Sequence, residues 1–160
     1  MTRPERLSAM FRFNRILVPT DFSALSMATI EAAVTLADRN ASELFLIHAL
    51  APVAVLPPLA MPALPIVLAD DTSAMKRQLE NVPVPDGLYQ LPVHREVIPG
   101  DPGNVILKFA DEHDIDVIVM GTHSRSRWAH FVLGSVTETV VRRSKCPVLT
   151  VPARVVQEQT

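Results

Sequence analysis

Two glycines and a serine in the last third of the chain have the types and spacing of an anion-binding loop. The chain contains only five glycines, and Gly121 and Gly134 bracket a stretch that follows a predicted strand and ends in Ser135 at a predicted helix start. Glycine lets a ligand approach the backbone closely, and the free amides of a helix N-terminus attract phosphate. The pattern therefore indicates a phosphate-binding site.

The same residues also have a purely structural interpretation. Ser135 and Glu138 have the spacing of a capping box, in which the serine caps the helix and the glutamate bonds back to it. The stretch matches neither the phosphate loop that ends in Gly-Lys-Ser/Thr nor the dinucleotide pattern Gly-x-Gly-x-x-Gly. Spacing alone leaves both interpretations open.

Five apolar runs are predicted strands, and helical patterns separate most of them. The predicted strands are residues 15–19, 43–50, 93–98, 115–120 and 147–152. The predicted helices are residues 24–39, residues 72–81, a segment that Asp101 caps and Pro102 begins, and residues 136–143. Alternating strands and helices form an open parallel sheet with helices on both faces. We therefore predict an α/β fold with five parallel strands.

The predicted strand order determines where a ligand would bind. If the first strand is central and the order is 3-2-1-4-5, the order reverses between strands one and four. Ligands of open α/β sheets bind beyond the carboxyl ends of the strands at such a reversal. The segments that leave these two strands are residues 19–23 and 121–135, so the chemistry is expected there.

Residues 51–92 form an irregular, proline-rich middle. Residues 51–71 are predicted to be a long surface loop. No charged residue occurs from Leu44 to Ala69, but five prolines in that stretch exclude a membrane-spanning helix. We predict one domain over residues 1–152 that includes this middle, and a C-terminal tail over residues 153–160.

Composition excludes several classes of protein. A length of 160 residues fits one domain, and a net charge of −2 argues against nucleic acid as the main partner. A single cysteine excludes a disulfide scaffold. Residues 1–15 lack an apolar core of signal-peptide length, so a cytoplasmic location is expected.

Four stretches together resemble the universal stress protein family. They are residues 16–23 (ILVPTDFS), 119–125 (VMGTHSR), 133–136 (LGSV) and 146–152 (CPVLTVP). The resemblance covers residues 13–50 and 93–152 and fails over the proline-rich middle. It implies a five-stranded, nucleotide-binding, Rossmann-like fold and commonly a homodimer. The family has members that bind ATP and members that do not.

The resemblance also implies how the glycine loop is used. ATP-binding members carry Gly-x-x-Gly, nine further residues and then Gly-Ser/Thr; Gly121, Gly134 and Ser135 match, whereas Ser124 stands where the second glycine belongs. A serine at positive φ costs about 1 kcal/mol and its side chain takes space, although its hydroxyl could donate to a phosphate. Ser124 is therefore expected to weaken ATP binding without excluding it.

Further residues are implied around the nucleotide. Asp21 matches an acidic residue near the ribose that could help hold Mg²⁺ through water, with a helix cap as the alternative interpretation. Ala49 matches a small position that touches the adenine. The remaining implied binding residues are Pro19, Thr20, Met120, His123, Arg125, Val136 and Thr137.

Three functions are compatible with the sequence. The first is a stress-response sensor or regulator that binds ATP or a related adenine nucleotide and forms a homodimer through residues 148–151, a short apolar strand expected at a sheet edge. It is not expected to be an enzyme, because no activated nucleophile or positioned base is evident. The second is a nucleotide-free dimeric interaction module of the same fold, which Ser124 favours. The third is a slow ATPase or nucleotidyl transferase.

Overall fold

The structure is a computed structural model that describes residues 13–55, 64–66, 69–85, 91–122 and 133–153. The strands are β1 (Arg15–Pro19), β2 (Glu43–Leu50), β3 (Val53–Val55), β4 (Leu64–Ile66), β5 (Val93–Pro99), β6 (Val117–Thr122) and β7 (Val148–Pro152). The helices are α1 (Ala24–Asn40), α2 (Ala69–Glu80), α3 (Pro102–Glu112) and α4 (Ser135–Arg143). Among these residues, no helix is long and apolar enough to cross a bilayer.

Five of the strands form one parallel sheet in the order β5-β2-β1-β6-β7. Because β5, β6 and β7 are the third, fourth and fifth of the predicted strands, the predicted order 3-2-1-4-5 is confirmed. The central position of β1 explains its unbroken apolar run: Ile16, Leu17 and Val18 are each 0% exposed. A strand that is covered on both faces has no polar side to alternate with.

Helices cover both faces of this sheet. Successive residues of a strand point to opposite faces, so Ile16 and Val18 pack with α1 and α2, whereas Leu17 packs with α3 and α4. The first layer takes Leu79 from α2, and the second takes Val140 from α4. The α/β architecture predicted from the sequence is therefore confirmed, and it places the carboxyl ends of β1 and β6 next to each other.

The proline-rich middle contains regular structure that the sequence did not indicate. β3 and β4 pair antiparallel in a separate two-stranded sheet, with Ala54 opposite Pro65. The prediction of a loop over residues 51–71 is therefore wrong at these positions, and α2 begins at Ala69 rather than at residue 72. Strands of three residues are too short to show a period, and a proline is tolerated where one side of a strand has no pairing neighbour.

The fourth strand of the prediction is displaced by two residues. β6 includes Gly121, which lies opposite Val151 of β7, so the prediction that Gly121 follows the strand is wrong. Asp116, predicted to be in the strand, instead accepts hydrogen bonds from the amides of Asn14 and Arg15 at 2.7 and 2.9 Å. These bonds hold the connection that enters β6 against the start of β1.

Candidate functional site

A cleft of about 450 Å³ opens at the carboxyl edge of the sheet, between the ends of β1 and β6 and the first turns of the helices. Three of the thirteen predicted binding residues, His123, Ser124 and Arg125, lie outside the described residues. The other ten line the cleft: Pro19, Thr20, Asp21, Ala49, Met120, Gly121, Gly134, Ser135, Val136 and Thr137. The structure thus brings them to one place, while their part in nucleotide binding stays a prediction.

Five residues that sequence reasoning did not assign to the site also line the cleft. They are Leu25, Ser26, His48, Pro102 and Ile106. Leu25 and Ile106 belong to apolar helix faces, and Pro102 is the first residue of α3. Each therefore has a structural role that accounts for it without a ligand. Leu25, Ser26 and Pro102 lie in the first turns of helices that begin at the carboxyl edge, and this position is the signal that could have found them.

A hydrogen-bonded turn joins β1 to α1 at the rim of the cleft. Ser23 is the N-cap of α1 and accepts a 3.2 Å hydrogen bond from the Ser26 amide. Asp21 accepts at Oδ1 from the Ser23 amide at 3.1 Å and from the Ser26 hydroxyl at 2.5 Å. The interpretation of Asp21 as the helix cap is therefore wrong. Its carboxylate supports the residue that does the capping.

Phe22, in the same turn, has a left-handed backbone with φ of 62°. A residue with a Cβ adopts this conformation at a cost of about 1 kcal/mol, and such residues occur where the surrounding structure holds them. The Phe22 amide donates to Thr20 Oγ1 at 3.1 Å, and the Phe22 ring lies 4.5 Å from the His48 ring, centroid to centroid. These contacts fix the turn against the end of β2.

His48 is held in one tautomer when it is neutral. Its Nδ1 lies 2.8 Å from the carbonyl oxygen of Thr20. Because a carbonyl only accepts hydrogen bonds, Nδ1 carries the proton, and Nε2 of the neutral ring is then an acceptor. His48 is partly buried and lines the cleft. It therefore belongs to the wall of the cleft as well as to the sheet.

The N-terminus of α4 differs from those of α1 and α3. Gly134 is its N-cap, with extended backbone and no side-chain hydrogen bond to the first turn. Among the helices that line the cleft, α1 is capped by Ser23, and α3 is capped as predicted by Asp101, which accepts from the Asn104 amide at 3.0 Å. Of these three helices, α4 is thus the one whose first-turn amides are not capped by any side chain of the described residues.

The interpretation of Ser135 and Glu138 as a capping box is wrong. Ser135 is the first residue of α4 and not its cap, and the Glu138 carboxylate pairs with Arg142, with 2.9 Å between Oε1 and the guanidinium Nη2. The uncapped amides of the first turn carry the partial positive charge of the helix N-terminus. This end of α4 can therefore accept an anion.

Gly121 is required by packing. A Cβ at this position would lie 2.6 Å from Cγ of Leu25 in α1, closer than side-chain carbons approach each other. The Thr137 hydroxyl donates to the Gly121 carbonyl oxygen at 2.9 Å. The missing side chain of Gly121 thus lets α1 lie close to the end of β6, and the Thr137 bond joins α4 to the same point. Within the described part of the chain, no group of three or more histidine, cysteine, aspartate or glutamate side chains is placed to hold a metal ion.

Comparison with known proteins gives one consistent result. A model of the universal stress protein family matches residues 12–152. The universal stress protein YxiE of Bacillus subtilis is 31% identical over 149 residues, which cover 87% of this chain and 99% of YxiE. The solved structure of UspA from Lactobacillus plantarum has a TM-score of 0.66 and 25% identity, and the match covers 88% of this chain and 99% of that one.

Two further solved structures share the fold and contain a nucleotide. One is a universal stress protein in complex with cAMP, at a TM-score of 0.63 and 23% identity. The other is a universal stress protein from Archaeoglobus fulgidus in complex with dAMP, at a TM-score of 0.60 and 18% identity. Each match covers 88% of this chain and 98% of the solved one. From the family model and these similarities, the chain belongs to the universal stress protein family.

Proposed function

We propose that this protein binds an adenine nucleotide, with ATP as the expected ligand, in the cleft at the carboxyl edge of its sheet. It acts as a sensor or regulator in the stress response. The observation that carries the proposal is the N-terminus of α4, which lines the cleft and has no side-chain cap among the described residues. Two proteins of the same fold, solved with cAMP and with dAMP, support adenine as the base.

The lining of the cleft is divided in a way that suits such a ligand. The amides of Ser135, Val136 and Thr137 form the end that receives the phosphates. Ala49, at the end of β2, provides a small apolar surface for the adenine. Asp21, the acidic residue among the described lining residues, lies near the ribose. Where Mg²⁺ accompanies the phosphates, Asp21 would reach it through water.

The experiment begins with the protein as purified. It is denatured, and the released small molecules are identified by chromatography and mass spectrometry. Calorimetry then measures binding of ATP, ADP and AMP to nucleotide-free protein. We expect binding of at least one of them with one site per chain. No released nucleotide, and no heat with any of the three up to millimolar concentration, would instead favour the nucleotide-free interaction module.

The enzymatic alternative is tested separately. A turnover assay with ATP and Mg²⁺ or Mn²⁺ separates a binding protein from a slow ATPase or nucleotidyl transferase. We expect no multiple turnover, because the Ser26 hydroxyl, which meets the Asp21 carboxylate in the lining of the cleft, is buried in the turn that begins α1. Release of phosphate or transfer of a nucleotidyl group over many cycles would favour the enzyme.

We propose further that the protein is a homodimer through β7. This strand lies at the edge of the sheet, so one side of its backbone has no strand partner among the described residues. Leu149 in β7 is 45% exposed and Val141 in α4 is 42% exposed, and these are the large hydrophobic side chains exposed among the described residues. An apolar edge of this kind favours pairing with a second copy.

A further inference from the structure

The side chain of Ser26 makes two hydrogen bonds with a single residue, Asp21. Its hydroxyl donates to Asp21 Oδ1 at 2.5 Å, and its oxygen accepts from the Asp21 amide at 3.2 Å. Ser26 is only 7% exposed, yet it lines the cleft. A buried serine that contacts both the backbone and the carboxylate of one residue restrains the position and the orientation of that residue.

Capping of α1 does not account for the Ser26 hydroxyl. The cap is the Ser23 side chain, which accepts from the backbone amide of Ser26, and an alanine at position 26 would supply the same amide. The Ser23 hydroxyl also lies 3.4 Å from the Ser26 hydroxyl, so the two serines are linked. The cap is nonetheless complete without the bonds from Ser26 to Asp21.

The restraint has a consequence for binding. Asp21 is exposed, and an exposed carboxylate with several rotamers loses entropy when a ligand orders it. Donors on Oδ1 from Ser26 and from the Ser23 amide hold the carboxylate before the ligand arrives. Besides supporting the cap, a carboxylate held in this way suits a ligand group that needs one orientation. The hydroxyl groups of a ribose are such a group.

We infer that Ser26 is a positioning residue that holds the Asp21 carboxylate for the ribose hydroxyls of the nucleotide. The inference rests on the proposed function and names the part of the ligand that this turn selects. It predicts selectivity for a sugar that carries hydroxyls over one that lacks them. Because Ser26 positions Asp21, removing the Ser26 hydroxyl should lower this selectivity even though Asp21 is the residue that meets the sugar.

The test compares two ligands, AMP and 2′,3′-dideoxy-AMP, by calorimetry on each variant. In the parent protein we expect AMP to bind about tenfold more tightly, the worth of a hydrogen bond to a charged group. Ser26→Ala should weaken the binding of AMP and leave the binding of dideoxy-AMP unchanged, so that the ratio of the two affinities falls below about threefold. Ser26→Thr keeps the hydroxyl and should keep the ratio. The ratio compares two ligands on one protein, so a loss of folded protein does not alter it.

A matched control removes a different buried hydroxyl from the same helix. Thr29 is 0% exposed and its hydroxyl donates to the carbonyl oxygen of Leu25 at 2.7 Å, one turn away from Ser26. Thr29→Val should leave the ratio unchanged. The double variant Ser26→Ala with Asp21→Ala should have the ratio of Asp21→Ala alone, because a residue that acts through Asp21 has no effect without it.

The outcomes separate the inference from the proposed function. If the parent binds AMP with selectivity and Ser26→Ala keeps the ratio, or loses both ligands equally, the serine is merely structural and the inference is overturned. If the parent binds AMP and dideoxy-AMP equally, the inference is overturned while nucleotide binding stands. If the parent binds neither ligand, nor ATP, the proposed function fails and the inference fails with it.

Discussion

The hydroxyl of Thr137 donates a hydrogen bond of 2.9 Å to the carbonyl oxygen of Gly121. This bond joins the first turn of α4 to the carboxyl end of β6, the two elements that flank the glycine loop. Thr137 is only 3% exposed, so the donor side of the bond is buried. It fixes the uncapped amides of α4 relative to the sheet, and thereby sets the width of the cleft at the end proposed for the phosphates.

Replacing Thr137 with valine should test this bond. Valine keeps the shape of threonine but leaves the Gly121 carbonyl without this donor, and we expect the free energy of unfolding to fall by about 1–2 kcal/mol. Denaturation by urea measures the change. Thr139→Val is the control, because the Thr139 hydroxyl donates to Ser135 within the same helix at 2.9 Å and its loss should cost less than about 0.5 kcal/mol. Equal losses in the two variants would contradict the role of Thr137.

Replacing Gly121 with alanine should destabilise the protein through Leu25. The new Cβ would lie 2.6 Å from Leu25 Cγ and 2.8 Å from its Cδ2, and overpacking of this kind costs about 1–3 kcal/mol. A double-variant cycle with Leu25→Ala gives the measurement. Because Leu25→Ala makes room for the added methyl group, the double variant should be more stable than the sum of the single effects predicts, by about 1 kcal/mol. Additive effects would mean that the two residues do not meet.

The large features of the fold were predictable from the sequence for a physical reason. β1 and β2 are buried on both faces, so Ile16, Leu17 and Val18 form a continuous apolar run that is visible without a structure. The rule that ligands bind beyond the carboxyl ends of parallel strands then located the cleft. Asp101 and Pro102 marked the start of α3 because capping depends on neighbours in the sequence.

The features that were missed depend on contacts between distant residues. Gly121 looks like a turn glycine in the sequence, whereas its lack of a side chain is explained by Leu25 on another element. Ser135 and Glu138 have the spacing of a capping box, but Gly134 is the N-cap of the helix and Glu138 pairs with Arg142. Ser26 was not singled out, because nothing in the sequence shows that its hydroxyl meets Asp21. Spacing identifies local partners only.

The proposed dimer gives a prediction at Leu149. We expect light scattering at micromolar concentration to give twice the mass of one chain for the parent protein. Leu149→Glu places a charge on the exposed apolar edge of β7 and should shift the protein to a monomer. Gln78→Glu adds the same charge to an exposed position of α2 and should leave the mass unchanged. A parent protein that stays monomeric at high concentration would rule out the dimer.

The departure from the glycine motif gives a prediction at Ser124. This residue lies outside the described residues, so the prediction rests on the motif alone. Ser124→Gly restores the pattern of the ATP-binding members, removes the bulk of the side chain, and removes the cost of the positive φ that the family pattern implies at this position. We expect ATP to bind about threefold to tenfold more tightly, which corresponds to about 1 kcal/mol. An unchanged affinity by calorimetry would show that the serine is no handicap.

The N-cap of α4 gives a prediction in which stability and binding move in opposite directions. Gly134 has φ of −61° and ψ of 154°, a conformation open to any residue, and aspartate is a better N-cap than glycine by a few tenths of a kcal/mol. Gly134→Asp should therefore keep or slightly raise the free energy of unfolding. Its carboxylate would take the amides proposed for the phosphates and repel their charge, so nucleotide affinity should fall at least about tenfold, or about 1.4 kcal/mol.

Gly134→Asn separates the two effects of that substitution. Asparagine also caps the helix and so competes for the same amides, but it carries no charge. We expect it to preserve stability and to weaken the nucleotide less than aspartate does, because only the carboxylate repels the phosphates. Urea denaturation and calorimetry on the parent and both variants give the comparison. If Gly134→Asp is folded and binds ATP as tightly as the parent does, the phosphates do not lie on α4. The uncapped N-terminus of α4 would then no longer support the proposed function.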